Sequence, residues 1–284
     1  MEQANLLLEG KYEILAKIRE GGMGTIYKVR HRLLDEIRVV KVMRASTIAD
    51  ADLKRRFLEE ARTAIRLKHP NICSIYDFAA DDSGTAYLVM EYIDGITLAE
   101  LLKSSGLPTV PLILQIGHQA LCALGYLHRR GVIHRDVAPD NLMLTYDDEH
   151  RVVIKLIDLG IAKIVDREMD LTATGVFLGK PKYASPEQFG TLPPGERLDG
   201  RSDIYGLGVV LYELLTGRKP FKGDTMPSLM FAIMKEDPIQ PSVLDSSISP
   251  VWDAILTKVL AKERDQRYAT VKDFSVAVRD AAAR

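Results

Sequence analysis

The sequence predicts an α+β protein with two lobes, a small sheet-dominated lobe followed by a larger, mainly helical one. Two observations lead to this prediction. Short β-rich runs fill the first third of the 284-residue chain, and longer segments with helical periodicity fill most of the rest. The character changes after Gly95, so we place a hinge at Glu91–Gly95. We expect an N-terminal extension over residues 1–9, the small lobe over 10–93 and the larger lobe over 94–282.

The small lobe is predicted to contain five strands and one helix. The strand segments are Tyr12–Ile18, Thr25–Arg30, Ile37–Met43, Cys73–Ala79 and Ala86–Tyr92, which are rich in β-branched and aromatic residues. The helix is predicted over Asp52–Leu67, where apolar residues recur at helical spacing. It ends before Pro70, whose ring disfavours a helical conformation for His69.

The larger lobe is predicted to be built from helices. Four segments have the required pattern: Pro111–Arg130, Ser202–Thr216, Ser249–Ala261 and Val271–Ala283. The first of them carries one apolar stripe, which indicates a buried helix. Its members are Ile113, Ile116, Ala120, Leu124 and Leu127.

Composition narrows the classes of function. The chain has 38 basic and 39 acidic residues, so its net charge of −1 does not predict binding to nucleic acid or to an acidic membrane. Cys73 and Cys122 are interpreted as small core residues in a reducing compartment. The apolar stretch Ile204–Leu215 is too short to span a bilayer, and residues 1–9 lack the pattern of a signal peptide. We therefore expect a cytoplasmic protein without a membrane segment.

Two features of the small lobe suggest phosphate binding. Glycines at positions 21, 22 and 24 lie between two predicted strands, where they let the backbone N–H groups approach a phosphate. Lys41 interrupts an apolar strand and needs a partner, for which Glu60 on the following helix is suitable. Taken alone, the glycines are more typical of a plain hairpin turn, and Lys41 with Glu60 of an ordinary surface ion pair.

A stronger signal lies near the middle of the chain. Asp136 is followed five residues later by Asn141, and Asp158 comes about twenty residues further on, after the apolar run Val152–Ile157. This spacing suits one chemistry, the positioning of a hydroxyl group beside a triphosphate that is held by metal ions.

In their order and spacing, these motifs resemble those of protein kinases. The resemblance continues through Ala184-Ser185-Pro186-Glu187 and Asp203–Gly208, and it runs from about Gly10 to Ala282. The segments Gly21–Gly24, His69–Ile72 and Ser185–Gln188 are similar to the bacterial branch of eukaryotic-like Ser/Thr kinases. The resemblance implies the bilobal protein kinase fold, with a five-stranded antiparallel sheet and one helix in the small lobe.

The resemblance also implies a role for each motif residue, with ATP and Mg²⁺ as the cofactors and Mn²⁺ as an alternative ion. Asp136 would orient the substrate hydroxyl, Asn141 and Asp158 would hold the metal, and Glu60 would orient Lys41 on the phosphates. The remaining ATP-binding residues would be Ile18, Arg19, Glu20, Gly21, Gly22, Met23, Gly24, Ile26, Val39, Met90, Glu91 and Ile93.

Two further roles follow from the resemblance. Glu187 would form a buried structural ion pair with Arg267, and His134 would be a packed structural residue under Leu159.

The chain departs from the family pattern at four positions. Arg19 stands where the first glycine of the phosphate loop is usual, and Leu159 replaces a phenylalanine. Ala138 replaces the lysine two residues after the catalytic aspartate, while Lys180 stands where the family has a threonine. In the family these last two side chains lie against each other, so we hypothesise that Lys180 supplies the missing ammonium group. The alternative is a surface lysine in a slow enzyme.

Residue 140 bears on substrate choice. Tyrosine kinases also carry alanine two residues after the aspartate, but they have arginine where this chain has Asp140, so we expect Ser/Thr specificity. The Asp140 carboxylate is also a candidate for selecting basic residues upstream of the target hydroxyl.

The activation segment is expected over residues 158–187. Thr172 and Thr174 are the candidate phosphorylation sites, placed as in bacterial relatives that phosphorylate themselves. Arg135 and Lys163 match the family's phosphothreonine pocket, where they would pair with the added charge. The alternative is that both threonines lie in a plain exposed loop.

These observations predict an ATP-dependent Ser/Thr protein kinase that acts on protein substrates and phosphorylates itself, with self-association for transfer between copies. The alternative is a pseudokinase, a nucleotide-binding scaffold with little turnover, which the four departures keep open. A small-molecule phosphotransferase is disfavoured, because Ala184–Glu187 and the segment before it form a ledge suited to peptide docking.

Overall fold

The computed structural model describes residues 10–21, 24–43, 59, 61–80, 85–159 and 180–282. The chain forms two compact units, of which the first ends at Asp94 and the second begins at Gly95. The N-terminal extension expected over residues 1–9 lies outside the described residues. Each unit is considered in turn below.

The first unit is built on the five-stranded antiparallel sheet that the sequence predicts. Its strands are β1 (Tyr12–Gly21), β2 (Gly24–His31), β3 (Glu36–Met43), β4 (Ile75–Ala80) and β5 (Ala86–Glu91), in the order β1-β2-β3-β5-β4. One face is closed by the buried side chains of Tyr12, Val29, Val40 and Val89. Residues 61–65 are helical, and most of the helix predicted over Asp52–Leu67 lies outside the described residues.

The glycine-rich turn extends the β1–β2 ladder beyond its predicted end at Ile18. Arg19 pairs with Ile26, and the last pair joins Gly21 to Gly24. Gly24 has φ 143°, and a Cβ atom there would overlap the carbonyl oxygen of Val42 on the neighbouring strand. Glycine at this position is therefore a steric requirement of the sheet itself.

The second unit is mainly helical, as predicted, and contains a small second sheet. Its strands, in the order β6-β7-β8, are β6 (Gly95–Thr97), β7 (Leu142–Tyr146) and β8 (Val152–Leu156). Its helices are α1 (Leu98–Ser104), α2 (Val110–His128), α3 (Arg201–Thr216), α4 (Met226–Lys235), α5 (Pro241–Leu244), α6 (Val251–Val259) and α7 (Val271–Ala282). The small sheet and helices α1, α4 and α5 were not predicted, because most of these segments are too short to display a clear period.

Helix α2 is a core helix of this unit. The predicted apolar stripe is confirmed, since all five of its members are buried. Among the residues that the structure describes, α2 is the one helix that is long and apolar enough to cross a membrane, a test that core helices also pass. Cys122 on this helix is only half-buried, whereas Cys73 is buried, so the core interpretation holds for Cys73 alone.

Helix α3 is buried on nearly all sides, and its glycines allow other elements to approach closely. A Cβ atom on Gly208 would lie 2.5 Å from Cγ1 of Val259 on α6, and one on Gly206 would lie 3.2 Å from Cβ of Val137. The helix ends at Gly217, which has φ 70° and donates its N–H to the carbonyl of Glu213.

We expect Gly208→Ala to destabilise the protein by about 1–3 kcal/mol, because the added methyl group overpacks the contact with Val259. Alanine ordinarily stabilises a helix relative to glycine by about 1 kcal/mol, so a loss of stability would show that the packing effect is the larger one. Gly125→Ala on α2 is the matched control, since its Cβ would meet Val271 at an ordinary distance of 3.5 Å. Urea unfolding of both variants is the measurement, and a Gly208→Ala protein as stable as wild type would contradict this packing.

Candidate active site

Asp136 and Asn141 are held to each other by hydrogen bonds within one loop. The Asn141 side-chain nitrogen donates to the Asp136 backbone oxygen at 2.8 Å and to its Oδ2 at 2.8 Å. A 3-10 turn over Pro139–Asn141 closes the loop, and β7 follows directly. With its nitrogen used in this way, Asn141 presents its Oδ1 as an acceptor for another group.

The buried carboxylate of Asp203 anchors this loop to α3. Asp203 is 1% exposed and accepts the backbone N–H groups of His134 at 2.8 Å and Arg135 at 2.7 Å. Its Oδ2 also lies 2.8 Å from Nε2 of His128 at the end of α2. Space for the His128 ring depends on Gly200, where a Cβ atom would lie only 2.5 Å from the ring.

His134 is a structural residue, as the resemblance implied. Its side chain is fully buried, with Nε2 at 3.0 Å from the Ile157 carbonyl oxygen and Nδ1 accepting the Asp136 N–H at 3.3 Å. A neutral ring protonated on Nε2 satisfies both contacts. The histidine therefore ties the start of this loop to the end of β8, just before Asp158.

Asp158 follows β8 in a left-handed conformation with φ 59°. The Ile157 N–H donates to the Asn141 carbonyl oxygen at 2.9 Å, so the backbone just before Asp158 lies beside the backbone of Asn141. Arg135 is also left-handed, with φ 64°, and such backbone conformations cost about 1–3 kcal/mol and cluster at functional sites. Leu159 is buried directly beyond Asp158.

The donor set offered by Asn141 and Asp158 consists of hard oxygen atoms. Mg²⁺ prefers such ligands and is usually bound through one or two side chains together with substrate phosphates. In the described part of the chain, no cluster of three His, Cys, Asp or Glu side chains could hold a metal. The amide and carboxylate oxygens of Asn141 and Asp158 are themselves of the type that suits a divalent ion bound together with phosphate.

Lys180, the first described residue after position 159, reaches the loop that carries Asp136 and Asn141. Its Nζ lies 3.2 Å from Oδ1 of Asn141 and 3.4 Å from Oδ2 of Asp140. Ala138 is completely buried in the same loop, so the small side chain there is packed rather than facing solvent. An ammonium group thus stands beside Asn141, although the catalytic loop itself carries no lysine.

The backbone after Lys180 is fixed by the short 3-10 turn Pro181–Tyr183 and by a cluster of polar groups around the buried Glu213. The Tyr183 hydroxyl donates to Oε2 of Glu213 at 2.6 Å, and Lys219 contacts the other oxygen at 2.6 Å. Burial, followed by the bond to Glu213, raises the pKa of Tyr183 well above its ordinary value. Because Tyr183 is bonded to Glu213 of α3, the backbone position of Lys180, three residues earlier, is restricted.

The predicted ion pair of Glu187 and Arg267 is confirmed as buried and bidentate. The two N···O distances are 2.7 and 2.8 Å, and the Ser202 hydroxyl donates to the same carboxylate at 2.8 Å. Arg267 also donates to the carbonyl oxygens of Ala261 and Lys262. Burial alone would raise the pKa of Glu187, but the bonds and charge of Arg267 outweigh it and leave this pKa below its usual value.

The ledge that carries Glu187 is joined to the catalytic loop. The Gln188 side-chain nitrogen donates to the Arg135 carbonyl oxygen at 3.0 Å, while its oxygen accepts the N–H of Ser185 at 3.0 Å. Sequence reasoning gave no role to Gln188, Asp203, His128 or Glu213. Asp203 and Gln188 lie in the segments Asp203–Gly208 and Ser185–Gln188, which carry the family resemblance, whereas the contacts of His128 and Glu213 depend on tertiary structure.

Most of the predicted nucleotide residues that the structure describes lie on strands of the first unit's sheet. Lys41 lies on β3 between Ile26 of β2 and Leu88 of β5 and is 6% exposed. Val39 of β3 pairs with Met90 of β5.

The other nucleotide residues of this unit differ in exposure. Ile18 is 52% exposed, whereas Ile93 is buried. The backbone N–H of Glu91 donates to the Ser74 carbonyl oxygen at 2.9 Å.

Several predicted site residues lie outside the described residues. They are Gly22, Met23, Glu60, Lys163, Thr172 and Thr174.

Comparison with known proteins identifies the family. The protein kinase domain family matches residues 12–275. A probable serine/threonine-protein kinase of Streptomyces coelicolor is 40% identical over 275 residues, covering 95% of this chain and 39% of that protein. Serine/threonine-protein kinase PknB of Mycobacterium tuberculosis is 37% identical over 271 residues, covering 94% and 42%. The chain thus spans about two fifths of the length of these relatives.

Solved structures give the same result. The crystal structure of the Mycobacterium tuberculosis PknI kinase domain superposes with a TM-score of 0.72 at 27% identity, covering 95% of this chain and 96% of that one. Together with the match over residues 12–275, this shows that the chain belongs to the protein kinase family. The five-stranded unit and the helical unit are the two parts of the protein kinase fold.

We expect Glu187→Gln to destabilise the protein by about 3–5 kcal/mol at neutral pH, because it leaves Arg267 buried without its counter-charge. The pKa of Glu187 is lowered in the folded protein from 4.5, so its stabilisation is present above pH 4.5 and is lost as the pH falls through the lower, folded value. The difference in unfolding free energy between wild type and variant should therefore shrink below about pH 4.5.

Urea unfolding at a series of pH values from 7 downward measures this dependence. Glu149→Gln is the matched control, because Glu149 forms an exposed ion pair with Arg151 and should change stability by less than about 0.5 kcal/mol. A deficit of the Glu187→Gln protein that stays constant through this range would contradict the ion-pair interpretation.

Proposed function

We propose that this protein transfers the γ-phosphoryl group of Mg-ATP to serine or threonine hydroxyl groups of proteins. The observation that carries the proposal is the Asp136–Asn141 pair, with the Lys180 ammonium at 3.2 Å from the Asn141 oxygen. A carboxylate, an amide oxygen and a fixed cation are the groups that phosphoryl transfer to a hydroxyl requires. The names of the relatives from Streptomyces and Mycobacterium support the same activity and do not favour a pseudokinase.

In this proposal Asp136 orients the acceptor hydroxyl and receives its proton. Asn141 and Asp158 hold Mg²⁺, or Mn²⁺ as an alternative, and the ion supplies charge neutralisation on the phosphates when it is bound. The bonds from Asn141 to Asp136 support these roles, because they keep the proton acceptor and the metal ligand in a fixed relation. The anchor on Asp203 holds both during the reaction.

Nucleotide binding is assigned to the sheet of the first unit. Lys41 holds the α- and β-phosphates and is oriented by Glu60, while Gly21, Gly22 and Gly24 cover the phosphates. Ile18, Ile26 and Val39 contact the adenine, Met90 lies beside it, and the backbones of Glu91 and Ile93 bond its edge. Arg19, Glu20 and Met23 complete this set.

Lys180 is proposed to replace the usual lysine of the catalytic loop. Its contact with Asn141 supports this role, since the ammonium group lies beside the proposed metal ligand, in the loop that also carries the buried Ala138. A lysine acts on phosphate as a point charge, so the position of its nitrogen matters more than the route of its stem. Asp140, in place of arginine, supports Ser/Thr over Tyr specificity.

Regulation is proposed to follow the bacterial pattern. Thr172 and Thr174 are modified by a second copy of the kinase, and the phosphate pairs with Arg135 and Lys163. Such a reaction requires transient self-association and is compatible with a cytoplasmic location. Protein substrates dock on the ledge Ala184–Glu187, which the buried Arg267 pair holds in place.

We expect Lys180→Ala to lower the rate of phosphoryl transfer by about 10²–10³-fold, since a fixed charge aimed at the transition state contributes this much. Asp136→Asn should lower it by about 10²–10⁴-fold through loss of the proton acceptor. Transfer from labelled ATP to a generic protein substrate is the measurement, and Lys182→Ala, at an exposed neighbouring lysine, is the control expected to match wild type.

Full activity of Lys180→Ala would remove this residue from the mechanism and leave the kinase assignment intact. ATP binding by wild type without any transfer to protein would instead identify a pseudokinase. Transfer to small molecules but not to protein would identify a different phosphotransferase.

We expect the active protein to carry phosphate on Thr172, Thr174 or both after incubation with Mg-ATP. Mass spectrometry of the segment maps the sites, and the Asp136→Asn protein is the control that should stay unmodified when incubated alone. The double variant Thr172→Ala, Thr174→Ala should lose most of the activation, because the ordering charge is missing. A fully active enzyme whose segment stays unmodified would exclude this switch.

A further inference from the structure

The environment of Lys180 raises the question of what holds a flexible ammonium group in place. A lysine side chain loses up to about 2 kcal/mol of rotamer entropy when it is fixed. Within the described residues, its Nζ has two polar contacts, Oδ1 of Asn141 at 3.2 Å and Oδ2 of Asp140 at 3.4 Å. Both acceptors lie on the same short turn, Pro139–Asn141.

One of these two acceptors has a second task in the proposed function. Asn141 Oδ1 is a proposed ligand of the divalent ion, and an ammonium group cannot share that oxygen with a metal cation without strong repulsion. A metal ion bound to this oxygen would therefore weaken the contact between Lys180 and Asn141. Asp140 then provides the carboxylate that still attracts the lysine.

The position of Asp140 suits this task. Its side chain is 34% exposed and that of Lys180 is 24% exposed, so their attraction is screened less than that of a fully exposed pair. Asp140 lies in the 3-10 turn that also carries Asn141, whose N–H donates to the Ala138 carbonyl oxygen at 2.9 Å. The turn therefore sets where the Asp140 side chain begins relative to Asn141.

We propose that Asp140 is a positioning residue that holds the ammonium group of Lys180 at the Pro139–Asn141 turn during phosphoryl transfer. The proposal rests on the proposed role of Lys180. It also changes the interpretation of Asp140 made from the sequence, where this carboxylate was a candidate for selecting basic substrates. A carboxylate that already balances the charge of Lys180 has less attraction left for an arginine of a substrate.

A double-mutant cycle tests whether Asp140 acts through Lys180. The proteins are wild type, Asp140→Asn, Lys180→Ala and the double variant, and the measurement is the single-turnover rate of transfer from Mg-ATP. Two peptides serve as substrates, one serine peptide of small neutral residues and the same peptide with arginines before the serine. Asp280→Asn, at an exposed ion pair on α7, controls for the loss of one negative charge.

We expect Asp140→Asn to lower the rate about 5–10-fold with both peptides and with little change in KM, since one partly exposed ion pair and the position it maintains are lost. Asp140→Glu should recover part of this rate. In the Lys180→Ala background, Asp140→Asn should have no further effect, because the group that it positions is gone.

A second measurement does not depend on catalysis. Acylation of Lys180 by an amine-reactive reagent, followed by mass spectrometry, reports how firmly the amine is engaged in the protein without nucleotide. We expect Asp140→Asn to speed labelling of Lys180 about threefold, in line with the modest strength of such pairs. Labelling of the exposed Lys182 is the internal control and should not change.

The outcomes distinguish the positioning role of Asp140 from the proposed role of Lys180, on which it rests. A higher KM for the arginine peptide alone, or additive losses in the double variant, would overturn the positioning role and assign Asp140 to substrate binding. Unchanged labelling of Lys180 in Asp140→Asn would also overturn it. Full activity of Lys180→Ala would instead refute the proposed role of Lys180 and the positioning role with it, and absence of transfer by wild type would refute the kinase activity itself.

Discussion

The buried carboxylate of Asp203 is the constraint on which the catalytic loop depends. A charge that is 1% exposed is costly unless its oxygens are bonded, and here they accept two backbone N–H groups and contact His128. These bonds hold Arg135 in a left-handed conformation that would otherwise be unfavourable. Because Asp203 lies in the first turn of the most buried helix of its unit, the loop is attached directly to the core.

The first turn of α3 also holds the ledge Ala184–Glu187. Ser202 donates to Glu187, whose ion pair with Arg267 fixes the ledge, while Asp203 fixes the loop. Gln188 joins the two elements through the Arg135 carbonyl oxygen. The position of Lys180 follows from this arrangement, because Tyr183, three residues further on, is bonded to Glu213 of the same helix. A single helix therefore orients the proposed proton acceptor, metal ligand and cation.

Much of the fold was predictable from patterns of residues. The five strands of the first sheet and the buried stripe of α2 are confirmed, because alternation and helical spacing persist over several turns or strand residues. The three-residue strand β6 and the seven-residue helix α1 were missed, because neither is long enough for a period. The reciprocal hydrogen bonds of Thr97 and Glu100 cap α1, and their spacing in the sequence was a signal that could have predicted it.

The sequence by itself determined which chemical groups the protein possesses and their order along the chain. This order indicates a kinase, because each motif must occupy a set place in the fold. The sequence also revealed that alanine replaces the usual lysine at position 138, while a lysine stands at position 180, where the family has threonine. Only the tertiary structure decided that the Lys180 ammonium meets Asn141 and Asp140, which lie about forty positions earlier in the chain. The physical reason is that hydrogen bonds and ion pairs depend on distances of about 3 Å, and these are set by packing on a shared core rather than by separation in sequence.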